Sequence, residues 1–336
     1  MVVAVHPYPS PQLEDRFGRR FPYLRLSILD ACNFRCSYCL PNGYRAKDGR
    51  GKYLDVQEIQ RLVSAFARLG MRKLRITGGE PSLRRDLPEL ISVAAEATGV
   101  ENVGLTTNGA TLHRHLNRWI DAGLTALNVS VDALCPERFE RITGHAGLEM
   151  LLDAIDQALD SPLRSVKINA VLLRDLNDDQ LPKWLEYLRD RNVTVRFIEL
   201  MQTGDNLEYF QRHHYRAQVL ESHIVKEGWQ LLDRATDAGP AREYQHRDFR
   251  GRIGIIAPYS ANFCAGCNRL RVTANGDLRL CLFGETGVPL RPLLQSDDQF
   301  SALQATLIRQ LGLKRAGHSL HAGETGLIQH FASIGG

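Results

Sequence analysis

Several features are scarce in this sequence, and each scarcity removes a class of function. No run of about 18 apolar residues occurs, so no segment predicts a membrane-spanning helix. The stretch Met1 to Gln12 is proline-rich and lacks the apolar core of a signal peptide, which predicts a cytoplasmic chain. An excess of one charge is missing too: 42 Lys and Arg stand against 38 Asp and Glu, a net of +4. That is too mild for a nucleic-acid binder, and it leaves any basic site to local placement. Low-complexity tracts are absent, and 43% hydrophobic with 24% charged residues is the composition of an ordered globular protein. The length, 336 residues, allows two ordinary domains or one large barrel with an appendage.

Cysteine is informative through its distribution. Of seven, three fall at Cys32, Cys36 and Cys39 and three at Cys264, Cys267 and Cys281, while Cys135 stands alone. Two such distant triads do not look like a disulfide framework. In a reducing compartment, clustered thiolates read as ligands of a metal or an iron–sulfur cluster. Cys135 falls in a helical pattern and reads as a small buried apolar residue.

From Tyr23 to about Leu200, short runs rich in Val, Ile and Leu alternate with helical patterns. The spacing predicts strands over Tyr23 to Leu29, Lys73 to Thr77, Val103 to Thr107, Ala126 to Val131, Val166 to Leu172 and Val193 to Glu199. The clearest helix is Asp55 to Leu69, where Val56, Ile59, Leu62, Val63 and Phe66 share a face and Gly70 supplies the stop. Others are predicted over Leu87 to Ala97, Leu116 to Ala122, Leu148 to Leu159 and Asp178 to Arg189. Six consecutive βα units predict a parallel sheet with right-handed crossovers, two units short of a closed barrel. After Met201 the rhythm stops: a helix around His214 to Glu227 precedes strand-like runs at Arg252 to Ile256, Leu270 to Thr273 and Leu278 to Cys281. The expected fold class is α/β, an incomplete TIM-type barrel over residues 12–235 whose open side is covered by something else, with a smaller α+β region over 236–336.

In parallel α/β sheets the ligand site forms at the carboxyl ends of the strands. The first strand runs into Asp30-Ala31-Cys32-Asn33-Phe34-Arg35-Cys36-Ser37-Tyr38-Cys39, the second into Gly78-Gly79-Glu80-Pro81 and the third into Thr106-Thr107-Asn108-Gly109. The fourth holds Ser130 and Asp132, and the sixth ends in Glu199-Leu200-Met201. A cubane cluster has four irons, and the C-x3-C-x2-C loop supplies three thiolates, which leaves one iron open to an outside ligand. A structural zinc site is the alternative, but it wants a fourth Cys or His, and the nearest histidines in sequence are His6 and His113. With this loop and the aromatic Tyr38 before its last cysteine, the chain resembles the radical S-adenosylmethionine (SAM) superfamily. Its Gly-Gly-Glu-Pro stretch is similar to the superfamily's segment that meets the amino group of SAM. The resemblance implies a [4Fe-4S] cluster on Cys32, Cys36 and Cys39 that binds SAM at its open iron, and a 5′-deoxyadenosyl radical released on one-electron reduction.

The strands also bury charge. Lys73, Arg75 and Thr77 alternate with Leu74 and Ile76, so an apolar face toward the helices turns the basic pair into the lumen. Arg25, Lys167 and Arg196 go there by the same reasoning. Only Asp30, Asp132 and Glu199 are acids near these strands, so an anionic ligand accounts for the buried charge better than local pairing. Beyond the second CxxC pair, Asn268-Arg269-Leu270-Arg271 puts two arginines on one face of a short strand, a second jaw for the same polyanion. The second triad is as incomplete as the first: it completes a zinc site with His246 or holds a second cluster with an open iron.

From about Arg16 to Gly336 the chain resembles one family of that superfamily more closely, the cyclases that act on GTP at the first step of molybdenum cofactor (molybdopterin) biosynthesis. The likeness rests on the first triad, on the Cys264-x2-Cys267-x13-Cys281 spacing with Asn268-Arg269-Leu270-Arg271 inside it, and on the terminal Gly335-Gly336. It implies two [4Fe-4S] clusters, the second on Cys264, Cys267 and Cys281 with its open iron toward the guanine of GTP. Tyr38, Gly79, Ser130 and Met201 would contact SAM. Arg25, Lys73, Arg75, Thr106, Lys167, Arg196 and the run Arg269, Leu270, Arg271 would bind GTP. Arg269, Arg271, Gly335 and Gly336 would support catalysis. The radical would take the hydrogen from C3′, and attack on C8 of the guanine followed by reduction would give (8S)-3′,8-cyclo-7,8-dihydroguanosine 5′-triphosphate. The implied partners are an electron donor and the synthase that makes cyclic pyranopterin monophosphate from the product, with a monomer or homodimer as the working state and neither nucleic acid nor membrane involved. Three rivals predict different residues. A peptide-modifying radical SAM enzyme would need neither the basic lumen nor the Gly-Gly tail. An iron–sulfur electron carrier would bring four cysteines to each cluster. A ubiquitin-like sulfur carrier ending in Gly-Gly would be far shorter.

Overall fold

The computed structural model of the chain describes residues 12–45, 53–235, 238–285 and 287–334. Its regular elements, in chain order, are β1 (Tyr23–Ser27), α1 (Val56–Arg68), β2 (Lys73–Thr77), α2 (Leu87–Glu96), β3 (Asn102–Thr107), α3 (Leu112–Asp121), β4 (Ala126–Ser130), α4 (Pro136–Thr143), α5 (Leu148–Leu159), β5 (Ser165–Leu172), α6 (Leu181–Arg189), β6 (Thr194–Glu199), α7 (Leu207–His213), α8 (Ala217–Lys226), β7 (Gln230–Leu231), β8 (Arg242–Gln245), β9 (Arg252–Ile256), β10 (Arg269–Val272), β11 (Asp277–Arg279), β12 (Val288–Pro289) and α9 (Phe300–Leu311). Helix α1 shows how local chemistry sets a boundary. The Asp55 carboxylate accepts from the Glu58 amide at 2.9 Å while Glu58 accepts from the Asp55 amide at 3.0 Å, a reciprocal cap on the first turn. Ile59, Leu62, Val63 and Phe66 are then buried on one face. Glu58 is buried as well and accepts from Arg291 at 2.8 Å, which ties this helix to the C-terminal region.

A sheet of 12 strands organises the fold, in the order β12-β11-β10-β1-β2-β3-β4-β5-β6-β9-β8-β7. The six strands of the βα rhythm lie side by side and parallel. Its two free edges are covered by strands from the C-terminal region: β10 adds parallel to β1, and β9 adds parallel to β6. The incomplete barrel is thereby extended at both edges without closing. On its outer face Leu24, Leu26, Leu74, Ile76, Leu270 and Val272 join one hydrophobic core beneath the helices.

Three expectations are corrected. The helix expected around His214 to Glu227 is α8, which starts later, at Ala217, and is preceded by an unexpected short helix, α7, that ends where His214 leaves helical geometry: its backbone bridges to Leu173 and its ring stacks on Phe210. The run expected at Leu278 to Cys281 stops at Arg279, which leaves Cys281 in a loop. Cys135 is neither helical nor fully buried. It precedes α4, whose start Pro136 fixes, and its half-buried thiol lies 2.8 Å from the Glu137 carboxylate.

Candidate active site

One pocket at the carboxyl ends of the parallel strands collects Cys32, Cys36 and Cys39 with Tyr38, Gly79, Ser130, Asp132, Glu199 and Met201. The loop after β1 reaches it because the turn after β2 presses against it. The Gly79 amide donates to Leu29 O at 2.9 Å, the Glu80 amide to Ala31 O at 2.7 Å, and a Cβ on Gly79 would stand 2.1 Å from Ala31 O. Only glycine permits that approach. Glu80 itself turns away from the pocket. Fully buried, its carboxylate accepts from the Ser82 amide at 2.9 Å, the Asn108 amide at 2.6 Å and the Thr107 hydroxyl at 2.7 Å, bracing the second strand end against the third. Asp132 is a residue with a similar task. It accepts from the Tyr38 hydroxyl at 3.0 Å and the Val171 amide at 2.9 Å, and burial pushes its carboxyl up to about 6.

These surroundings act on the thiols. Burial raises Cys32, Cys36 and Cys39, the last up to about 12, and the Asp132 charge adds to the effect on Cys36 and Cys39. Cys32, Cys36 and Cys39 would hold a cluster here, and its iron would supply the positive charge that thiolates in such a site require. The C-terminal segment arrives at the same place: Phe331 and Ala332 line the pocket, and their backbone amides face the Cys39 thiol. Gly335 and Gly336 lie outside the described residues.

Deeper in the lumen, the basic side chains stand in register. Arg271, Arg25 and Arg75 are neighbours across β10, β1 and β2, and Arg269, Tyr23 and Lys73 form the next row. Gly104, beside Arg75 on β3, is glycine for space, since a Cβ there would lie 2.5 Å from the guanidinium carbon. Gly254 makes room for Arg196 in the same way, at 2.7 Å from its Cγ. Among the described residues, Nε of Arg75, Arg196, Arg269 and Arg271, Oγ1 of Thr106 and Oδ1 of Asn128 and Asn169 are buried with no hydrogen-bond partner. Each such atom costs about 1–3 kcal/mol. Together they fit a ligand that offers anionic oxygens and the polar edges of a ring.

The lumen also differs from the expectation in three ways. Lys167 pairs with the carboxylate of Glu243, an acid on β8 that inspection of neighbouring strands does not find because it enters through β9 from 76 residues away. The Leu270 side chain packs in the core on the opposite face from Arg269 and Arg271, which leaves its backbone for any ligand contact. Tyr23 was missed, although it has the same strand parity as Arg25. Burial alone would raise its hydroxyl, but Arg75, Arg25 and Lys73 overcome that and bring it down to about 6. The crowding also lowers Arg196 to about 10, through burial and then Arg75, and Arg271 to about 9, through burial and then Arg25 and Arg269. Both remain protonated at neutral pH.

Cys264 and Cys267 precede the start of β10, which is parallel to β1, whereas Cys32 to Cys39 follow the end of β1. The lumen therefore runs between the two triads. Cations grip the second one from outside: Arg19 donates to Cys264 O at 3.0 Å, Arg234 to Gly266 O at 2.8 Å, and buried Lys314 to Leu280 O. Burial opposes ionisation of Cys267, yet Lys314, Arg269 and Arg271 bring its pKa below the usual thiol value. His246 does not serve this triad. Its ring packs on Trp229 and Phe249, with centroids 5.6 and 5.3 Å away, and the pocket beside Cys264 is lined by His318 and His321 instead. Among the described residues, no three His, Cys, Asp or Glu side chains converge as they would on a single ion. Three thiols at each site match a cubane with one iron left open, whereas a structural zinc calls for a fourth ligand, and His246, packed on Trp229 and Phe249, does not supply it.

Residues 26–188 match the radical SAM superfamily and residues 193–320 match Molybdenum Cofactor Synthesis C. The chain is 63% identical over 325 residues to the GTP 3′,8-cyclase of Stenotrophomonas maltophilia, covering 97% of this chain and 99% of that protein. It is 50% identical over 324 residues to the GTP 3′,8-cyclase of Tolumonas auensis, covering 96% of each, and 49% identical over 325 residues to that of Yersinia pestis, covering 97% and 99%. Among solved structures, Streptococcus suis SuiB bound to S-adenosylmethionine superposes with a TM-score of 0.59 over 85% of this chain and 68% of that one. At 11% identity, that likeness is one of fold.

Proposed function

The chain belongs to the GTP 3′,8-cyclase family of radical SAM enzymes, and from that premise we propose how its residues share the first step of molybdenum cofactor biosynthesis, the conversion of GTP to (8S)-3′,8-cyclo-7,8-dihydroguanosine 5′-triphosphate. Residues 12–235 generate the radical and residues 236–336 carry the auxiliary site. Cys32, Cys36 and Cys39 hold the SAM-binding [4Fe-4S] cluster, with Tyr38, Gly79, Ser130 and Met201 against SAM. Cys264, Cys267 and Cys281 hold a second [4Fe-4S] cluster toward the guanine. When bound, the first cluster with SAM supplies one-electron cleavage and hydrogen abstraction at C3′.

The remaining work belongs to the chain itself. Arg25, Arg75, Arg196, Arg269 and Arg271, with Lys73 and Lys167, grip the triphosphate, while Thr106 and the Arg269–Arg271 backbone orient ribose and base. Fixing the nucleotide between the two triads brings C3′ under the rim, where proximity does most of what a protein can do for a radical reaction. Phe331 and Ala332 line the rim pocket; Gly335 and Gly336, which follow them in the chain, support catalysis. A cytoplasmic electron donor feeds the first cluster, and the product passes to the synthase for cyclic pyranopterin monophosphate. The enzyme works as a monomer or homodimer.

One observation carries this reading: partnerless guanidinium nitrogens of Arg75, Arg196, Arg269 and Arg271 line a lumen with a three-cysteine site beyond each end. Anaerobic reconstitution followed by SAM, a strong reductant and GTP tests it. 5′-Deoxyadenosine should form as GTP is consumed. Deoxyadenosine without loss of GTP would sink the substrate assignment, and zinc in place of iron at the second triad would sink the auxiliary cluster.

A further inference from the structure

We propose that Lys314 is the fixed counter-cation of the second cysteine triad and sets the reduction potential of the cluster held there above that of the first. This rests on the two-cluster reading given above. Lys314 follows α9 and is 4% exposed. Its ammonium donates to Leu280 O, the carbonyl just before Cys281, and sits 5.2 Å from the centroid of the Phe21 ring. Its position is therefore set from two sides. Among the described residues no carboxylate forms an ion pair with it; its carbonyl partner immediately precedes Cys281, and the groups that favour its charge are the thiolates of Cys267 and Cys281.

A buried ammonium without an opposing charge costs several kcal/mol, so a side chain kept in this position calls for a resident anion. Three thiolates on an iron–sulfur cluster provide one. Reduction adds a further negative charge to such a cluster, and a nearby cation favours the reduced form, so the potential rises. Among the described residues, the side-chain charges that weigh most on the first triad, apart from its own thiols, are the carboxylates of Glu80 and Asp132, which is the opposite sign. The difference in potential follows from the two sets of neighbours. Lysine suits the role better than arginine because a compact ammonium can approach sulfur without the planar fork needing partners of its own.

The test is a redox titration followed by electron paramagnetic resonance on the reconstituted full-length chain, with iron counted in each sample. Cys281→Ser identifies the signal of the first cluster. In the unmodified chain the second cluster should be reduced at the higher potential. Lys314→Gln, which keeps a donor for Leu280 O and removes the charge, should retain both clusters and move only the second midpoint to more negative potential. Lys314→Arg should restore most of that shift. A second midpoint unmoved in Lys314→Gln at full iron content overturns the inference, as does an equal shift of both clusters. Loss of second-site iron in both variants overturns it too, because shape and not charge would then hold the loop. Iron for only one cluster in the unmodified chain would overturn the two-cluster reading itself.

Discussion

The two cysteine triads offer the same number of thiols in opposite surroundings. Around Cys32, Cys36 and Cys39 the charged groups are Asp132 and Glu80, and the thiols are pushed up by burial and by those carboxylates. Around Cys264, Cys267 and Cys281 they are Lys314, Arg269 and Arg271, with Arg19 and Arg234 on the loop carbonyls; burial still raises Cys264, but Cys267, between the cations, is pulled down. Ligand count therefore does not distinguish the sites; their neighbours do. A sulfonium cofactor is cationic at sulfur and suits the acid-lined rim, while the arginines that run from the second triad into the lumen suit a triphosphate.

That contrast can be broken most severely at the cysteines. Cys36→Ser should abolish both deoxyadenosine formation and GTP conversion, whereas Cys281→Ser should abolish conversion and leave uncoupled deoxyadenosine formation measurable by chromatography. Equal phenotypes would erase the distinction. Next in size is Arg271→Ala. Hydrogen bonds to charged groups are worth about 1.5–3 kcal/mol each, so losing one weakens GTP binding roughly 10- to 100-fold and stops turnover with both clusters in place. Equilibrium binding to the anaerobic holoenzyme measures this, and loss of cluster iron would make the arginine structural. A smaller effect is expected at Glu243, which ties up Lys167. Glu243→Gln should tighten GTP binding a few-fold and leave SAM binding unchanged; weaker GTP binding would mean that the pair, not the free lysine, shapes the site.

The smallest effect sharpens the basic end. Tyr23 is held at about 6, below its usual value of 10.0, so above pH 6 it is an anion among Arg75, Arg25 and Lys73. A depressed pKa of this kind stabilises the fold above the unfolded value near 10, and the contribution is lost as pH falls through about 6. A bound triphosphate brings the same negative charge and should push the hydroxyl back up. GTP binding at pH 7 to 8 is then accompanied by proton uptake and loss of tyrosinate absorbance. Both signals should be absent in Tyr23→Phe, and their persistence there would assign the proton elsewhere.

What was legible in the sequence was local. Alternation within β1 and β2 placed Arg25, Lys73 and Arg75 in the lumen, and cysteine spacing found both triads. Pairings made across the fold were not legible. Strands β9 and β10 reach the sheet edges through registers that no nearby residue announces. Glu243 meets Lys167 only once β8 is folded against β9. Nothing in the residues around Lys314 marks it as buried; its burial, with its contact to Leu280 O, depends on where α9 ends. Cys135 misled because helical patterning cannot say which residue is the last one outside the helix.

The central claim is that two three-cysteine sites face one lumen and take different ligands. Mössbauer spectroscopy of the ⁵⁷Fe-reconstituted chain tests it most directly, with SAM and GTP added separately. SAM is expected to change one iron of one cluster and GTP one iron of the other. Spectra in which both ligands perturb the same cluster, or in which only one cluster is present, would contradict it.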